Sequence, residues 1–386
     1  MNSQPATQKF PCSGCGADLE YHPGTTSLKC PYCGRLEAIA PTPQTVEERS
    51  FDAHAYQNQT RFAKLSTTAL EVRCSDCGAS FIFEPPHTAG KCPFCASNIV
   101  AQPTEASPTL EPEGLIPFKV SQKQARQQVQ DWLKSRWFAP TELKQLAQQE
   151  RLQGVYLPFW TYDAQTHSTY RGERGEHYYV TETYTETNAQ GETETKTRQV
   201  QHTRWHSVSG RVSRFFDDVL VPGTQSIETH RLACLEPWEL KQSLCAYNPS
   251  YLAGFEAQRS QVPVEDGLQI AKNIMSGTIT SDVRWDIGGD EQRIHNISTT
   301  YSQITFKHLL LPVWITAYRY RQKRYQVMVN ALTGKVHGDR PYSVWKIAST
   351  VGAVVAIALS IFLLFQIPWD NIRPPSRSPV PTQPQQ

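Results

Sequence analysis

CSGCGADLEYHPGTTSLKCPYCG at residues 12–34 and CSDCGASFIFEPPHTAGKCPFCA at residues 74–96 carry one pattern twice, C-x2-C-x14-C-x2-C. The cysteines are Cys12, Cys15, Cys30 and Cys33 in the first copy and Cys74, Cys77, Cys92 and Cys95 in the second. Two close pairs of thiolates are what a tetrahedral zinc ion requires, and four sulfur ligands leave no position open for an activated water. The spacing therefore predicts two structural zinc ions and argues against catalytic zinc. Disulfides would need an oxidising compartment, and a redox C-x2-C would not normally be followed by a second pair at this distance.

Both copies share more than cysteine. Ser13/Ser75, Gly16/Gly78, Ala17/Ala79, Pro23/Pro85, Lys29/Lys91 and Pro31/Pro93 match, and a glycine follows the second knuckle cysteine, where the turn favours positive φ. Leu19 and Tyr21, matched by Phe81 and Phe83, alternate as on a short strand. A unit of about thirty residues buries too little surface to fold unaided, and structural zinc supplies roughly 10–16 kcal/mol. Residues 1–40 and 71–102 therefore read as two zinc ribbons. Lys9, Lys29 and Arg35 balance Asp18, Glu20 and Glu37 in the first; Arg73 and Lys91 face Glu71, Asp76 and Glu84 in the second. Neutral ribbons lack the cationic footprint of phosphate binding.

At the other end, IASTVGAVVAIALSIFLLFQI (347–367) has no charged residue. At 1.5 Å per residue it reaches roughly 31 Å, enough for one bilayer crossing within a helical segment 344–367. Trp345, Lys346 and Trp369 flank it as interfacial anchors. Lys307, Arg319, Arg321, Lys323, Arg324, Lys335, Arg340 and Lys346 precede it against Asp339 alone, while only Arg373 and Arg377 follow. This asymmetry predicts a single-pass protein of the inner (plasma) membrane, its N-terminal bulk cytoplasmic and its tail on the far side. The basic zone should also favour anionic lipid headgroups. No apolar run occurs in the first 40 residues, so no signal peptide is expected. The tail 368–386 is proline-rich and aperiodic, as in a disordered extension.

Between these ends, 41–70 and the acidic, proline-rich 103–114 read as linkers, and 115–343 as a mainly antiparallel α+β domain. LIPFKV (115–120) suggests a strand. Ser121 caps a helix through Ala125, Val129, Trp132, Leu133 and Trp137, and Thr141 starts a second short one. GVYLPFWTYDA returns as a strand. YLAGFEAQRSQV (251–262) reads as a strand again, then a helix from Pro263 to about Ile274, then strands, with helices on one face. Leu157-Pro158-Phe159-Trp160 and Leu311-Pro312-Val313-Trp314 hold matching places, which suggests an internal duplication. YQVMVNALTGKVHG predicts a hairpin turning through Asn330–Gly334. Residues 177–205 alternate threonine and charge about Ala189-Gln190-Gly191. That pairs Thr187 with Thr193, Thr185 with Thr195, Thr183 with Thr197 and Glu182 with Arg198, in a protruding hairpin.

Catalytic signatures are missing: no G-x4-G-K-[ST], H-E-x2-H, G-x-S-x-G or G-x-G-x2-G occurs. His202 and His206 lie in strand-like sequence, where a ligand role is not expected. Asp217 and Asp218 could pair for metal or acid–base work, but neighbours on a strand diverge, so a turn role is expected. Cys234 and Cys245 read as buried small apolar residues, and Trp160 and Trp314 as core.

The tandem ribbons, the LPFW strand, TRWHSVSGRVSRFFDDVLVPG (203–223) and LPVWITAYRYRQKRYQVMVNALTGKV (311–336) before one span resemble a family of uncharacterised bacterial tandem zinc-ribbon proteins with a C-terminal membrane anchor. Its members are often labelled primosomal replication helicase-like. The resemblance implies eight zinc-ligating cysteines and no catalytic residue; helicase activity does not carry over, because the chain has no nucleotide-binding loop. The expectation is a membrane-tethered, non-enzymatic adaptor whose ribbons, on flexible linkers, bind a cytoplasmic protein. The alternatives are a membrane-associated nucleic-acid-binding protein and an enzyme built around Asp217 and Asp218.

Overall fold

A computed structural model describes residues 10–42, 45–51, 70–74, 78–83, 89–92, 94, 98–100, 104–105, 110–138, 140, 152–187, 191–320, 323–339 and 342–366. The first ribbon holds β1 (Glu20–Tyr21), β2 (Ser27–Lys29) and β3 (Leu36–Ala38), and β4 (Arg49–Ser50) follows. The second holds β5 (Leu70–Arg73), β6 (Ser80–Phe83), β7 (Ala89–Lys91) and β8 (Asn98–Val100), with β9 (Thr104–Glu105) beside it. Next come β10 (Gly114–Leu115), α1 (Gln122–Lys134), β11 (Gln153–Thr187), β12 (Thr193–Pro222), α2 (Thr229–Ala233), α3 (Leu240–Ser243), β13 (Cys245–Ala246) and β14 (Glu256–Ala257). The chain then runs through α4 (Val264–Ile287), β15 (Glu291–Tyr320), β16 (Lys323–Asn330), β17 (Val336–Gly338) and α5 (Val344–Gln366). The whole is a mixed α+β architecture.

Its centre is a sheet with β12, β11 and β15 side by side and antiparallel, extended past β15 by β16 and β17. The β11 strand is 35 residues long and β15 is 30, far beyond the usual five or six. Past Gly175, the last β11 residue paired to β15, only β11 and β12 remain, so the described tip is a two-stranded ribbon. There Thr187 faces Thr193, Thr185 faces Thr195, Thr183 faces Thr197 and Glu182 faces Arg198, the register expected from the threonine–charge alternation.

Alternation along β11 sorts the core. Tyr156, Trp160 and Tyr162 face α1, α4 and the first ribbon; Val155, Leu157 and Phe159 face the second ribbon and α2. The two longer helices of this domain thus share one sheet face, while the two ribbons pack on opposite faces.

Ser121 and Gln124 form a capping box at α1, which buries Ala125, Val129 and Leu133; it ends at Lys134, and Trp137 lies beyond it, exposed. The second short helix expected from Thr141 lies outside the described residues. A correction concerns α4, which runs to Ile287 rather than Ile274. Its buried side, Val264, Leu268, Ala271, Met275, Ile279, Val283 and Ile287, keeps one helical stripe through MSGTITSDV. Burial against the long strands overrides the weak helix propensity of glycine and the β-branched residues there. YLAGFEAQRSQV is not one strand: a 3-10 turn (Pro249–Leu252) and Gly254 at φ 82° leave only β14. The Asn330 turn forms as expected, with Gly334 at φ 83° donating to the Asn330 carbonyl at 2.8 Å.

Two pieces of the presumed linkers belong to the sheet. Arg49 and Ser50 pair with Phe306 and Thr305, and Gly114 and Leu115 run parallel to Leu309 and Leu310. Ion pairs fix them: Arg49 to Glu113, and Lys307 to Glu48 at 2.9 Å.

The centre of the sheet repeats its own hydrogen bonds. Leu157 lies opposite Leu311, and β14 is parallel to β11 as β10 is to β15. Trp160 Nε1 donates to the Val262 carbonyl at 2.9 Å before α4, and Trp314 Nε1 to the Val120 carbonyl at 2.8 Å before α1. Gly223 N donates to Pro158 O as Ala331 N does to Pro312 O. Gln261 and Val262 bond Gly223 O as Lys119 and Val120 bond Ala331 O.

The C-terminal helix α5 contains an 18-residue stretch, Trp345–Phe362, of mean hydropathy 1.8 and with none of its residues buried. Ser349 and Thr350 donate to Lys346 O and Ser360 to Ala356 O, so these hydroxyls are satisfied within the helix. This is one candidate membrane-spanning helix. Trp345 is 87% exposed at its start; Trp369 lies outside the described residues.

Candidate metal centre

Three knuckles lie among the described residues, each built by two backbone hydrogen bonds around a left-handed glycine. Gly16 N donates to Cys12 O at 2.9 Å and Cys12 N to Ala17 O at 2.7 Å. Gly34 N to Cys30 O and Cys30 N to Arg35 O repeat the arrangement, as do Gly78 N to Cys74 O and Cys74 N to Ala79 O. Gly16, Gly34 and Gly78 all have φ between 73° and 75°. Such turns aim both sulfurs of a C-x2-C the same way.

Across the first ribbon the four Sγ atoms of Cys12, Cys15, Cys30 and Cys33 lie within 4.8 Å of one another. Cys12 to Cys33 and Cys15 to Cys30 are each 3.5 Å, with no disulfide. Cys12 and Cys30 are buried, Cys15 and Cys33 exposed. Gly14 N points at Cys12 Sγ and Cys33 N at Cys30 Sγ, the N–H···S contacts that stabilise thiolate. The Cys33 and Tyr32 amides hold the Cys30 thiol down to about 6. Ser13 and Arg35 tie the knuckles together: Arg35 Nη1 donates to Ser13 Oγ at 2.7 Å and Ser13 N to Glu37 Oε1 at 2.8 Å. The cluster could hold a metal ion.

In the second copy Cys74 and Cys92 are buried; Cys77 and Cys95 lie outside the described residues. Both ribbons are anchored to the sheet. Tyr21 OH donates to Phe118 O, Gly24 N to the same carbonyl at 2.8 Å, and Tyr21 N to Ala253 O at 2.8 Å. Gln261 Nε2 donates to Gly78 O at 2.7 Å and Gln326 Nε2 to Phe94 O at 3.0 Å. Docked ribbons replace the expected flexible handles, because Leu19, Tyr21 and Leu28 on one and Phe94 on the other share the domain core.

The other sequence candidates lie apart from this cysteine cluster. A bulge at Tyr162/Ala164 and φ 56° at Asp218 bring oxygens of Asp163, Asp217 and Asp218 within 4.8 Å, which strand alternation would have forbidden. Lysines already pair with two of the three: Lys241 contacts Asp217 and Lys307 contacts Asp218, each at 2.7 Å. Asp218 N and Thr305 Oγ1 cap the Asp163 carboxylate, yet burial pushes that group up to about 6. The cluster is an internal ion-pair network that clamps β4 to the sheet. His202 stacks on Tyr178 and His206 lies 3.9 Å from Glu176, both in exposed strand. Cys234 and Cys245 are half-buried rather than buried, and Cys245 Sγ donates to Leu115 O. Trp160 and Trp314 are core, 2% and 4% exposed.

Sequence reasoning missed a second feature, an open pocket of about 180 Å³ between β11, β15 and the start of α4, lined by Leu110, Trp160, the segment 260–264 and His308. His308 Nδ1 meets Leu110 O at 3.1 Å, Trp160 packs 4.6 Å from its ring, and Nε2 is buried without a partner among the described residues. Burial holds this imidazole down to about 4. No local spacing marks it, since its walls come from four separate segments.

No protein-family model matches the chain, and no solved structure matches it. A Bacillus subtilis (strain 168) protein described as "Uncharacterized protein YdjG" is 25% identical over 351 residues, covering 88% of this chain and 92% of that protein. The chain is thus distantly similar to YdjG along nearly the full length of both.

Proposed function

We propose that this chain is a non-enzymatic, single-pass membrane-tethered adaptor whose two zinc ions fix the ribbons to opposite faces of a rigid sheet. The observation that carries the reading is the four-sulfur cluster of Cys12, Cys15, Cys30 and Cys33 on a ribbon packed into the core. Tetrahedral zinc with sulfur at about 2.3 Å sets its ligands about 3.8 Å apart, which suits this donor set. Cys74, Cys77, Cys92 and Cys95 would hold the second ion in the same way. All ligand positions would be filled by protein, so the metal would supply folding energy rather than chemistry.

The apolar, unburied α5 supports a bilayer crossing, and the preceding cations support a cytoplasmic N-terminal bulk of an inner-membrane protein, close to anionic headgroups. The ribbon tip of β11 and β12, with exposed Tyr178, Tyr179 and Tyr184, would contact the cytoplasmic protein partner. The repeated hydrogen bonds about Leu157 and Leu311 support a duplicated β-α-β-β unit as its platform.

Affinity purification from detergent-solubilised membranes tests the adaptor. A shared set of proteins should be recovered with the wild type and lost with Tyr178→Ala/Tyr179→Ala/Tyr184→Ala, three exposed side chains at the tip. Equal recovery from both, or none from either, would sink the reading. A second reading, nucleic-acid binding at the membrane, draws on Arg293 over Trp205 at 3.7 Å and Arg204 over Tyr178 at 5.1 Å, pairs suited to stacking bases. It requires a salt-dependent mobility shift, and absence of any shift at low salt removes it.

A further inference from the structure

Four residues past Leu133, Trp137 would continue the buried stripe of α1, yet it is 74% exposed, and Phe138 beside it is 37% exposed. The helix stops first. Ser135 N donates to Asp131 O at 3.0 Å, Arg136 N to Leu133 O at 3.2 Å and Ser135 Oγ to Trp132 O at 2.7 Å. This tightened last turn takes the chain off the helical path, and both aromatic rings leave the core. Adjacent large aromatic residues on a surface mark a place where something apolar meets the protein.

The fold fixes where that place is. Val129 and Leu133 share one core with Val327, Val329 and Val336, so α1 packs on β16 and β17, the strands that lead into α5. Ser343 N then donates to Phe138 O at 2.8 Å, which holds the aromatic turn against the residue that precedes α5. Ser343 lies about 3 Å before Trp345 along the helix axis, within a headgroup layer that is roughly 5–8 Å deep on each side of a bilayer. Tyr342 and Trp345, 58% and 87% exposed, flank the same bond, at the start of the apolar stretch Trp345–Phe362. Lys134 and Arg136 beside the turn and Lys346 on α5 supply cations, and Asp131, 3.5 Å from Lys134, is the acid among them.

We propose that Trp137 and Phe138 are a second membrane contact, their rings inserted at the headgroup–acyl boundary of the bilayer that α5 crosses. The inference rests on the reading of α5 as that crossing. Indole and phenyl rings at the mouth of a span belong at headgroup level, and the cations around them face anionic phosphates. Two points of contact fix the orientation of the sheet over the membrane, which a single connection into α5 would leave free. The Phe138–Ser343 hydrogen bond ties the two points to each other.

Fluorine NMR tests this on the full chain labelled with 5-fluorotryptophan, in nanodiscs of phosphatidylcholine and phosphatidylglycerol that hold one copy each. Trp137→Phe, Trp285→Phe and Trp345→Phe assign the three signals. Trp285 is the reference: it is 86% exposed, and its neighbour Asp286 bonds Tyr170, about 45 Å along β11 from the Tyr156 end where α1 packs. A water-soluble gadolinium chelate should relax Trp137 and Trp345 at least threefold less than Trp285. A lipid spin-labelled at its headgroup should broaden Trp137 and Trp345 and leave Trp285 sharp. Trp345 shielded while Trp137 relaxes as strongly as Trp285 would overturn the second contact and leave the span standing. All three relaxed as strongly as one another would remove the span and the contact together.

Discussion

Replacing Tyr21 by alanine should release the first ribbon from the sheet without dismantling it. Tyr21 is 3% exposed and sits between Tyr251, edge-on at 5.1 Å, and Phe255 at 6.2 Å. Its hydroxyl, kept neutral by burial, shares its one proton between Thr25 O inside the ribbon at 2.7 Å and, more weakly, Phe118 O across the contact at 3.3 Å. Truncating a buried aromatic residue costs about 3–5 kcal/mol, and losing only its hydrogen bonds about 1 kcal/mol. Tyr21→Ala should therefore raise the population of the undocked ribbon roughly a thousandfold, at about 1.4 kcal/mol per tenfold, and Tyr21→Phe roughly fivefold. Hydrogen exchange read by mass spectrometry on peptides spanning 115–120 and 251–257 measures this. The β1–β2–β3 sheet and the cysteine cluster do not pass through Tyr21's outer contacts, so bound metal should stay unchanged. Wild-type exchange in Tyr21→Ala, or Tyr21→Phe opening as readily as Tyr21→Ala, would refute docking through this side chain.

Three further outcomes are expected. Metal analysis of the purified chain should give two zinc ions, falling to one in Cys30→Ser; an unchanged count would remove the first site. Gly154→Ala should cost on the order of 1–3 kcal/mol in thermal unfolding, because the new methyl meets the Phe255 ring and Trp314 Cζ3 at 3.0 Å. A neutral result would mean that the aromatic cluster yields. Burial, helped by the charge of Arg49, holds His308 down to about 4, so the unfolded chain binds the extra proton below its ordinary value of about 6.5. Its contribution is complete above that value and is lost as pH falls towards 4, a difference of about 3 kcal/mol. Unfolding midpoints of His308→Gln should lack this acid slope; parallel pH profiles for variant and wild type would contradict it.

Much of this molecule was legible locally. The knuckles form from residues i to i+5, the Thr187–Thr193 register follows from Gly191, and the Asn330–Gly334 turn closes on itself. The candidate span needs only its own uncharged run. Failures share a cause. Ending α4 at Ile274 trusted intrinsic propensity where contact with the long strands decides, and treating 45–51 and 110–114 as free linkers overlooked buried partners hundreds of residues away, Lys307 and His308. Strand alternation parted Asp217 from Asp218, and a bulge rejoined them.

By itself, then, the sequence determined the cysteine knuckles, the hairpin registers, the start of α1 and the apolar terminal helix, because each depends on spacing and dihedral preference within one short stretch. The tertiary structure decided that the ribbons lie locked on opposite faces of one sheet. It also decided that Leu157 meets Leu311 and that Phe118 stacks on Phe255 beside Trp314 while an open pocket lies beside Trp160 and His308. Those features arise from burial and hydrogen bonding between segments far apart in the chain, and no local pattern encodes them.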